Sequence, residues 1–328
     1  MPLAASGLRE FLQRETQALR AQGIYLGTSS WKYPGWAHLL YDPARYDRGR
    51  GWSKTRFERQ CLAEYAEVFS TVCVDAAYYQ FPSAPFLDQL TSQVPSTFQF
   101  GFKVTDDITL KRFPFLDRHG ARKGSDNDDF LNAELFVEKF LNPCESVRSQ
   151  VGILIFEFSR FHVRDFQRGR DFVEQLDRFL GKLPTGWPYG VEIRNRTFLQ
   201  AEYFEVLARH AVTHVFNSWQ AMPPIHEQLL HPAAFTTPSR VAARFLLRPG
   251  RVYADAVKLF SPYQEVRDPF PEARAAGAEL IRKGREAAKQ SKPKRTFLFV
   301  NNRLEGNALH TLQAMIAQSH ETPEERHT

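Results

Sequence analysis

The chain has 328 residues, 43% of them hydrophobic and 24% charged, which suits an ordinary soluble protein built as one large barrel or two domains. Its formal net charge of +6 permits an anionic ligand or a nucleic acid without requiring either, and no apolar run approaches the roughly 18 residues of a membrane span. Three cysteines without CxxC spacing argue against a disulfide scaffold and for a reducing compartment. No hydrophobic signal segment is visible at the N-terminus, and we expect a cytoplasmic protein.

The N-terminal segment is predicted to form a helical extension ahead of the main domain. Residues 6–22 carry apolar side chains that roughly share one face of a helix: Leu8, Phe11, Leu12 and Leu19. The first strand signal comes directly after this segment. We therefore predict three parts, which are a helical extension over residues 1–23, a single domain over residues 24–319 and a polar tail over residues 320–328.

Eight short segments of the main domain have the composition of β-strands, and most are separated by segments with helical periodicity. In chain order they cover residues 24–31, 71–82, 98–109, 151–159, 191–198, 212–219, 240–250 and 295–308, the last together with its loop. Alternating strands and helices predict a parallel sheet, and eight repeats over roughly 300 residues favour a TIM (β/α)8 barrel over an open doubly wound sheet. No Gly-rich dinucleotide fingerprint or P-loop sequence is present, which argues against nicotinamide dehydrogenases and P-loop enzymes.

The fifth of these segments alternates apolar and charged residues. Val191 and Ile193 share one face of the strand, whereas Glu192 and Arg194 share the other. In a closed parallel barrel the second face is the interior, and active sites lie where the carboxyl ends of the strands open. In the third segment the same alternation places Lys103 inside, where a lysine needs a partner or a ligand.

Charged and aromatic side chains are predicted to gather at this mouth of the barrel. The polar residues on the interior rows near the mouth are Asp75, Lys103, Glu157, Glu192, Arg194, Arg244 and Asn302. The aromatic residues that would wall the opening are Trp31, Tyr33, Trp36, Tyr78, Tyr79 and Trp219. Two long loops, residues 111–129 and 220–238, also follow strands, and loops of this length are usually functional or mobile.

Several segments together resemble the YecE-like family, also called domain of unknown function 72, over about residues 24–319. The matching residues are Gly27, Thr28, Ser29, Trp31, Tyr33, Trp36, Asp75, Tyr78, Tyr79, Phe98, Phe100, Lys103, Glu192, Arg194, Arg244, Asn301, Asn302, Gly306 and Ala308. The resemblance implies a TIM barrel, and on its basis Asn301 and Asn302 are included among the candidate ligand-binding residues. It implies no particular reaction, because the family has no established activity.

The chain departs from the family pattern after several strands. The second strand of the family usually carries a Glu and an Asn where this chain has Cys73 and Asp75. A His often follows the third strand, at the position of Leu110, and the fourth strand usually ends in Gln-Leu-Pro-Pro, where residues 157–160 are Glu-Phe-Ser-Arg. These departures predict a divergent member of the family.

One hypothesis for the mouth is a hydrolase-like site for a polar, anionic substrate such as a phosphate ester. Glu192 would act as the general base, with Asp75 or Glu157 as the partner acid. The three interior cations would hold a phosphate or carboxylate group and stabilise developing negative charge. A carboxylate pair also suits glycoside hydrolysis, and Lys103 as a Schiff-base nucleophile is a third hypothesis.

The same residues allow two further interpretations. The three carboxylates and three cations can neutralise one another as a structural ion-pair network without catalysis. No cofactor is evident from the sequence. A carboxylate-only Mg²⁺ or Mn²⁺ site would need Asp75, Glu157 and Glu192 close together, and the nearby cations oppose it.

A non-catalytic module that binds nucleic acid or protein is the competing functional class. Basic segments at residues 45–56, 111–123 and 282–295 would follow a phosphate backbone. Basic side chains that converge at the mouth would favour a small anion, whereas a stripe across the outside would favour nucleic acid. We expect a small polar or anionic ligand as the partner, and no membrane.

Overall fold

The computed structural model describes residues 5–47, 49, 51–290 and 294–321. Within these residues eight parallel strands close into a barrel in chain order, and the last strand pairs with the first. The strands are β1 (Ile24–Thr28), β2 (Thr71–Val74), β3 (Gln99–Lys103), β4 (Val151–Phe158), β5 (Tyr189–Ile193), β6 (Thr213–Ser218), β7 (Arg240–Phe245) and β8 (Arg295–Val300). The predicted TIM barrel is therefore confirmed.

Helices connect the strands and pack on the outside of the barrel. The α-helices of the described residues are α1 (Ala5–Ala21), α2 (Lys54–Ala66), α3 (Ala76–Tyr79), α4 (Ala84–Thr91), α5 (Asp106–Thr109), α6 (Ala133–Phe136), α7 (Asn142–Cys144), α8 (Gly169–Leu180), α9 (Ala201–Arg209), α10 (Ile225–Gln228), α11 (Tyr253–Phe260), α12 (Pro271–Ala288) and α13 (Ala308–His320). A π-helical segment joins α6 to α7, and short 3-10 segments cover Pro34–Trp36, Pro43–Tyr46, Asp117–Arg122, Glu145–Gln150, Arg196–Phe198 and Pro232–Ala234. In the part of the chain that the structure describes, no helix is long and apolar enough to cross a membrane.

The alternation of residues along each strand sets the two faces of the barrel wall. Phe100 and Phe102 of β3 belong to the large core between strands and helices. The opposite face forms a separate apolar core inside the barrel, which consists of Cys73, Ile153, Ile155, Val215, Ala242, Phe297 and Phe299. Glu157 of β4 lies beside Glu192 of β5 in the strand register, so both carboxylates lie above this apolar layer on the interior face, as predicted.

Aromatic rings fill the interior of the barrel. Tyr25 stacks on Phe297 with ring centroids 4.8 Å apart. A Cβ atom on Gly101 would lie 2.7 Å from the ring of Phe299, so a glycine is needed there to make room for the ring. The interior is therefore a packed core, and the cavities of the barrel open at its two ends.

All eight strands end before the predicted segments do, and helical turns follow β2 and β3 directly. β2 ends at Val74, since Asp75 already has helical backbone angles (φ −72°, ψ −17°) and directly precedes α3. β3 ends at Lys103, and α5 begins three residues later at Asp106. The sequence prediction carried β2 through residue 82, whereas the alanines at the start of α3 favour a helix.

The segments predicted as long loops contain short helical elements. Residues 111–129 include the 3-10 segment Asp117–Arg122, and residues 220–238 include α10. α11, which follows β7, has no counterpart in the sequence prediction.

The N-terminal helix α1 packs against β1 and α13. It begins and ends one residue earlier than predicted, and three of the leucines on its predicted apolar face are fully buried. The hydroxyl of Thr16 donates a hydrogen bond to the carbonyl oxygen of Val68, just ahead of β2. Residues 322–328 of the predicted tail lie outside the described residues.

Gly27 of β1 is predicted to tolerate no side chain, because a Cβ atom there would lie 2.1 Å from the carbonyl oxygen of Thr71 on β2. Gly27→Ala should lower the free energy of unfolding by about 1–3 kcal/mol, the usual effect of overpacking, as measured by urea denaturation. Gly181→Ala adds the same methyl group after α8, where the backbone is helical (φ −65°), and should lose less. Equal losses in the two variants would contradict the prediction.

Candidate functional site

A cavity of about 470 Å³ opens at the carboxyl ends of the strands. Five of the predicted polar residues line it: Asp75, Lys103, Glu157, Arg194 and Arg244. Three aromatic residues expected at the mouth also line it: Tyr78, Tyr79 and Trp219. These side chains come from the ends of β2 to β7, where active sites of TIM barrels lie.

Glu157 is surrounded by three cationic side chains at the end of β4. Its Oε2 atom lies 2.5 Å from Lys103 Nζ, 2.8 Å from Arg194 Nη2 and 3.3 Å from Arg244 Nη1. Burial raises the pKa of this carboxyl group, but the three positive charges together outweigh burial and hold the pKa at about 2. Glu157 is therefore ionised at neutral pH.

Glu192 is enclosed by two of the same cations and has no exposed surface. Its Oε1 atom lies 3.1 Å from Arg194 Nη2, and its Oε2 atom lies 2.7 Å from Arg244 Nη1. Arg244 also reaches Asp75 Oδ1 at 3.3 Å. Burial lowers the pKa of the Arg244 guanidinium, but the neighbouring carboxylates, Glu192 above all, raise the pKa well above its ordinary value, so Arg244 stays charged.

Aromatic rings cover two of the cations at the cavity floor. Lys103 Nζ lies 3.5 Å from the centroid of the Tyr78 ring, and Arg194 Cζ lies 3.7 Å from that of Trp219. Such cation–π contacts hold the direction of a charged side chain without neutralising it. The helical turn after β2 matters here, because it carries Tyr78 over Lys103.

The cavity as a whole is strongly basic. Nine lysine and arginine side chains line it against three carboxylates, Asp75, Glu157 and Asp165. Three of the cations lie at the floor of the cavity and are Lys103, Arg194 and Arg244. The other six lie at the rim and are Lys111, Arg112, Arg118, Arg160, Arg164 and Arg303. Arg118 pairs with Asp106 and Arg112 pairs with Asp126, whereas the other four form no ion pair with any residue that the structure describes.

The remaining predicted residues do not line this cavity. They are Trp31, Tyr33, Trp36, Glu192, Asn301 and Asn302. Trp36 is fully buried in the loop after β1, where its ring contacts those of Tyr33 and Tyr41. Asn302 Oδ1 accepts a hydrogen bond from the Ala308 N–H at 2.8 Å and so holds the start of α13. Asn301 and Asn302 thus organise the loop after β8 and do not reach the cavity surface.

Comparisons with known proteins agree with the resemblance found in the sequence. The profile of the family described as protein of unknown function DUF72 matches residues 25–328. This chain belongs to the DUF72 family. A DUF72 family protein from Enterococcus faecalis V583 is 18% identical over 91% of this chain and 96% of its own, with a TM-score of 0.59. One from Thermotoga maritima MSB8 is 19% identical over 89% of this chain and 96% of its own, with a TM-score of 0.56.

These two DUF72 structures show the shared fold. No curated protein matches the chain.

Several residues of the DUF72 cavity were missed in the sequence prediction. Tyr253 lies on α11, the helix without a predicted counterpart. Arg160 and Arg303 lie within three residues of the carboxyl ends of β4 and β8. Proximity to a strand end was a usable signal for both arginines, because such positions form the mouth of a TIM barrel.

A metal site at the mouth would need several carboxylate or imidazole groups close together. In the described part of the chain, no group of three His, Cys, Asp or Glu side chains is arranged to hold a metal ion. The carboxylates considered for a Mg²⁺ or Mn²⁺ site, Asp75, Glu157 and Glu192, each contact a cationic side chain. A metal ion at these oxygens would have to displace those cations.

Replacement of Glu192 is predicted to destabilise the DUF72 fold. Glu192→Gln removes one of the two buried carboxylates that neutralise Arg194 and Arg244, and breaking a buried ion pair typically loses about 3–5 kcal/mol. Urea denaturation at neutral pH measures this loss. Asp75→Asn is the matched control, because the Asp75 side chain is 30% exposed and makes one ion pair, at 3.3 Å. The ranking fails if Asp75→Asn loses as much stability as Glu192→Gln.

The lowered pKa of Glu157 predicts that the folded protein loses stability at acid pH. Its pKa in the folded chain is about 2, below the ordinary value of 4.5, so the folded state binds this proton less readily than the unfolded state. The resulting stabilisation is complete above pH 4.5 and is lost as pH falls from 4.5 toward 2. It amounts to something on the order of 3 kcal/mol. Between about pH 6 and pH 3, the parent should lose more stability than Glu157→Gln, and equal losses would show that Glu157 is not the group responsible.

Proposed function

We propose that this DUF72 protein binds a small anionic ligand at the mouth of the barrel and acts on it as a hydrolase. The observation that supports the proposal is the charge of the cavity, with nine cationic side chains against three carboxylates. Four of these cations have no ion-pair partner among the described residues, so an anion can bind them without breaking an existing pair. Phosphate and carboxylate groups are the natural partners of such guanidinium and ammonium groups.

The size and the aromatic rim of the cavity favour a small molecule that contains a ring. A volume of about 470 Å³ lies in the range of small-molecule sites. Phe115, Tyr79 and Tyr253 line the cavity and are 80%, 60% and 47% exposed. Exposed rings beside cations without partners can stack on a sugar or a base while the cations hold its phosphate. A phosphorylated sugar or a nucleotide has this chemistry.

Asp75 is the carboxylate best placed for acid–base chemistry, in place of Glu192. Glu192 is fully buried with both oxygens in ion pairs, which keeps a ligand away from it. Glu157 has no proton to donate near neutral pH, because its pKa is about 2. Asp75 lines the cavity, and a single oxygen of it contacts Arg244. In a hydrolytic reaction Asp75 would accept a proton from the attacking water, while the cations stabilise the negative charge that develops on the ligand.

Two other reactions fit the floor of the cavity less well. Glycoside hydrolysis requires a carboxylic acid with a raised pKa, whereas the pKa of Glu157 is lowered. Schiff-base chemistry requires a free amine, whereas Lys103 Nζ lies 2.5 Å from Glu157 Oε2. That ion pair would have to break before Lys103 could attack a carbonyl group.

The nucleic-acid alternative is less favoured by the placement of the basic segments. Residues 111–123 contribute cations to the mouth. In the other two segments, Arg45 pairs with Glu67 at 2.5 Å and Lys283 pairs with Glu279 at 3.5 Å. These pairs leave less positive charge for a phosphate backbone on the outside of the barrel.

Binding of a small panel of compounds tests the proposal. We predict that AMP and glucose 6-phosphate bind, measured by isothermal titration calorimetry at low salt, and that the uncharged adenosine and glucose do not. Arg303→Gln removes a cation of the rim that has no ion-pair partner among the described residues. It should weaken binding about tenfold or more, since a hydrogen bond to a charged group contributes about 1.5–3 kcal/mol.

Two control variants separate binding from turnover. Arg59→Gln removes an exposed cation of α2 that does not line the cavity, and its affinity should equal that of the parent. Asp75→Asn should retain ligand binding but release no inorganic phosphate from a bound ester. Equal binding of the uncharged compounds, or an unchanged affinity in Arg303→Gln, would refute the proposed anion site. Salt-dependent binding of a single-stranded oligonucleotide instead would favour the nucleic-acid alternative.

A further inference from the structure

A second cavity, of about 880 Å³, opens at the opposite end of the barrel, where the strands begin. Its basic lining residues are Arg148, Arg209, His210, Arg240 and Arg295, and no carboxylate of the described residues lines it. Three of these five have acidic partners just outside the cavity. Arg148 pairs with Glu145 at 3.2 Å, while Arg209 and His210 pair with Asp177 at 2.7 and 2.6 Å. Arg240 and Arg295 have no such partner among the described residues.

Arg240 and Arg295 lie side by side at the start of β7 and β8. They are partners in the strand register, and each lies two residues before a residue of the interior core, Ala242 or Phe297. The alternation of the strands therefore directs both side chains toward the inside of the barrel at its amino end. Arg295 Nη1 donates a hydrogen bond to Gln99 Oε1 at 3.2 Å, which fixes one of the two guanidinium groups.

The environment of Arg240 is unfavourable without an anion. Its Nε atom is buried and has no hydrogen-bond partner among the described residues. Burial, and after it the charge of Arg295, lowers the pKa of Arg240 from 12.5 to about 10. A buried donor without an acceptor and two adjacent like charges both destabilise a fold. At the other end of the barrel carboxylates neutralise the interior cations, and no described carboxylate does so here.

We propose that Arg240 and Arg295 together bind one phosphate group at the amino end of the barrel. A phosphate group offers several acceptor oxygens and negative charge, so it can accept from the buried Arg240 Nε and neutralise both guanidinium groups. Arg295 is exposed at the start of β8, which leaves the site open to solvent. The apolar layer around Phe297 separates this site from the mouth, so the proposal is independent of the function proposed there.

Thermal melting with inorganic phosphate tests the site. In phosphate-free buffer, Arg240→Gln removes the repulsion between the two arginines and should melt at or above the temperature of the parent. Phosphate, compared with chloride at equal ionic strength, should raise the melting temperature of the parent more than that of Arg240→Gln. Calorimetric titration should show that the affinity of this site falls about tenfold or more in the variant.

Two further variants locate the response. Arg295→Gln changes an exposed side chain, so the variant should fold normally. Its rise in melting temperature with phosphate should be reduced by the same amount as in Arg240→Gln. Arg303→Gln alters the mouth and should retain that part of the rise. The proposal is wrong if the response survives in both Arg240→Gln and Arg295→Gln, or if Arg303→Gln alone abolishes it, since phosphate would then bind elsewhere.

Discussion

Neutralisation of buried charge at the carboxyl end of the barrel is the constraint on which the rest of the structure depends. An unpaired charge in a packed interior is strongly destabilising, and the alternation of the strands places several charges in one layer above the apolar core. Glu157 Oε2 contacts Lys103, Arg194 and Arg244, whose backbones belong to β3, the end of β5 and β7. The Glu157 carboxylate thus connects its own strand, β4, to β3, β5 and β7.

This network also decides where a ligand can bind. Because Glu157 and Glu192 already bind Arg194 and Arg244, the floor of the mouth is largely neutral. Among the described residues, the cations without ion-pair partners lie on loops at the rim, for example Arg164. A structural ion-pair network and the proposed binding site are therefore compatible, since they occupy different depths of the same opening. The buried layer holds the strand ends in place, and the rim carries the cations of the proposed anion site.

Strand alternation explains how much of this arrangement could be predicted from the sequence. The alternation of Val191, Glu192, Ile193 and Arg194 was enough to place the two charged residues inside the barrel, because a strand allows only two faces. How deeply each of these side chains is buried could not be predicted in the same way. It depends on how far each strand rises relative to its neighbours, and for this reason Glu192 is enclosed while Asp75, at the start of a helical turn, remains accessible.

Residues of the loops were harder to predict, for a different physical reason. Loop side chains follow no period, so neither their direction nor their neighbours can be inferred from spacing. Trp36 was expected at the opening, but the 3-10 turn that contains it directs its ring into a cluster with Tyr41. Tyr253 reaches the cavity from α11, whose sequence gave no recognisable strand-to-helix signal. Tertiary packing settles such positions, and it is not encoded in any local pattern.

The departures of this chain from its family pattern are consistent with the same constraint. The resemblance gives a pattern that usually has a Glu and an Asn where this chain has Cys73 and Asp75, and a Gln at the end of β4 where it has Glu157. Burial raises the pKa of the Cys73 thiol to about 12, so Cys73 is neutral and contributes no charge to the layer. Asp75 and Glu157 both contact Arg244, at 3.3 Å each, so this cation has carboxylate partners although β2 carries no glutamate.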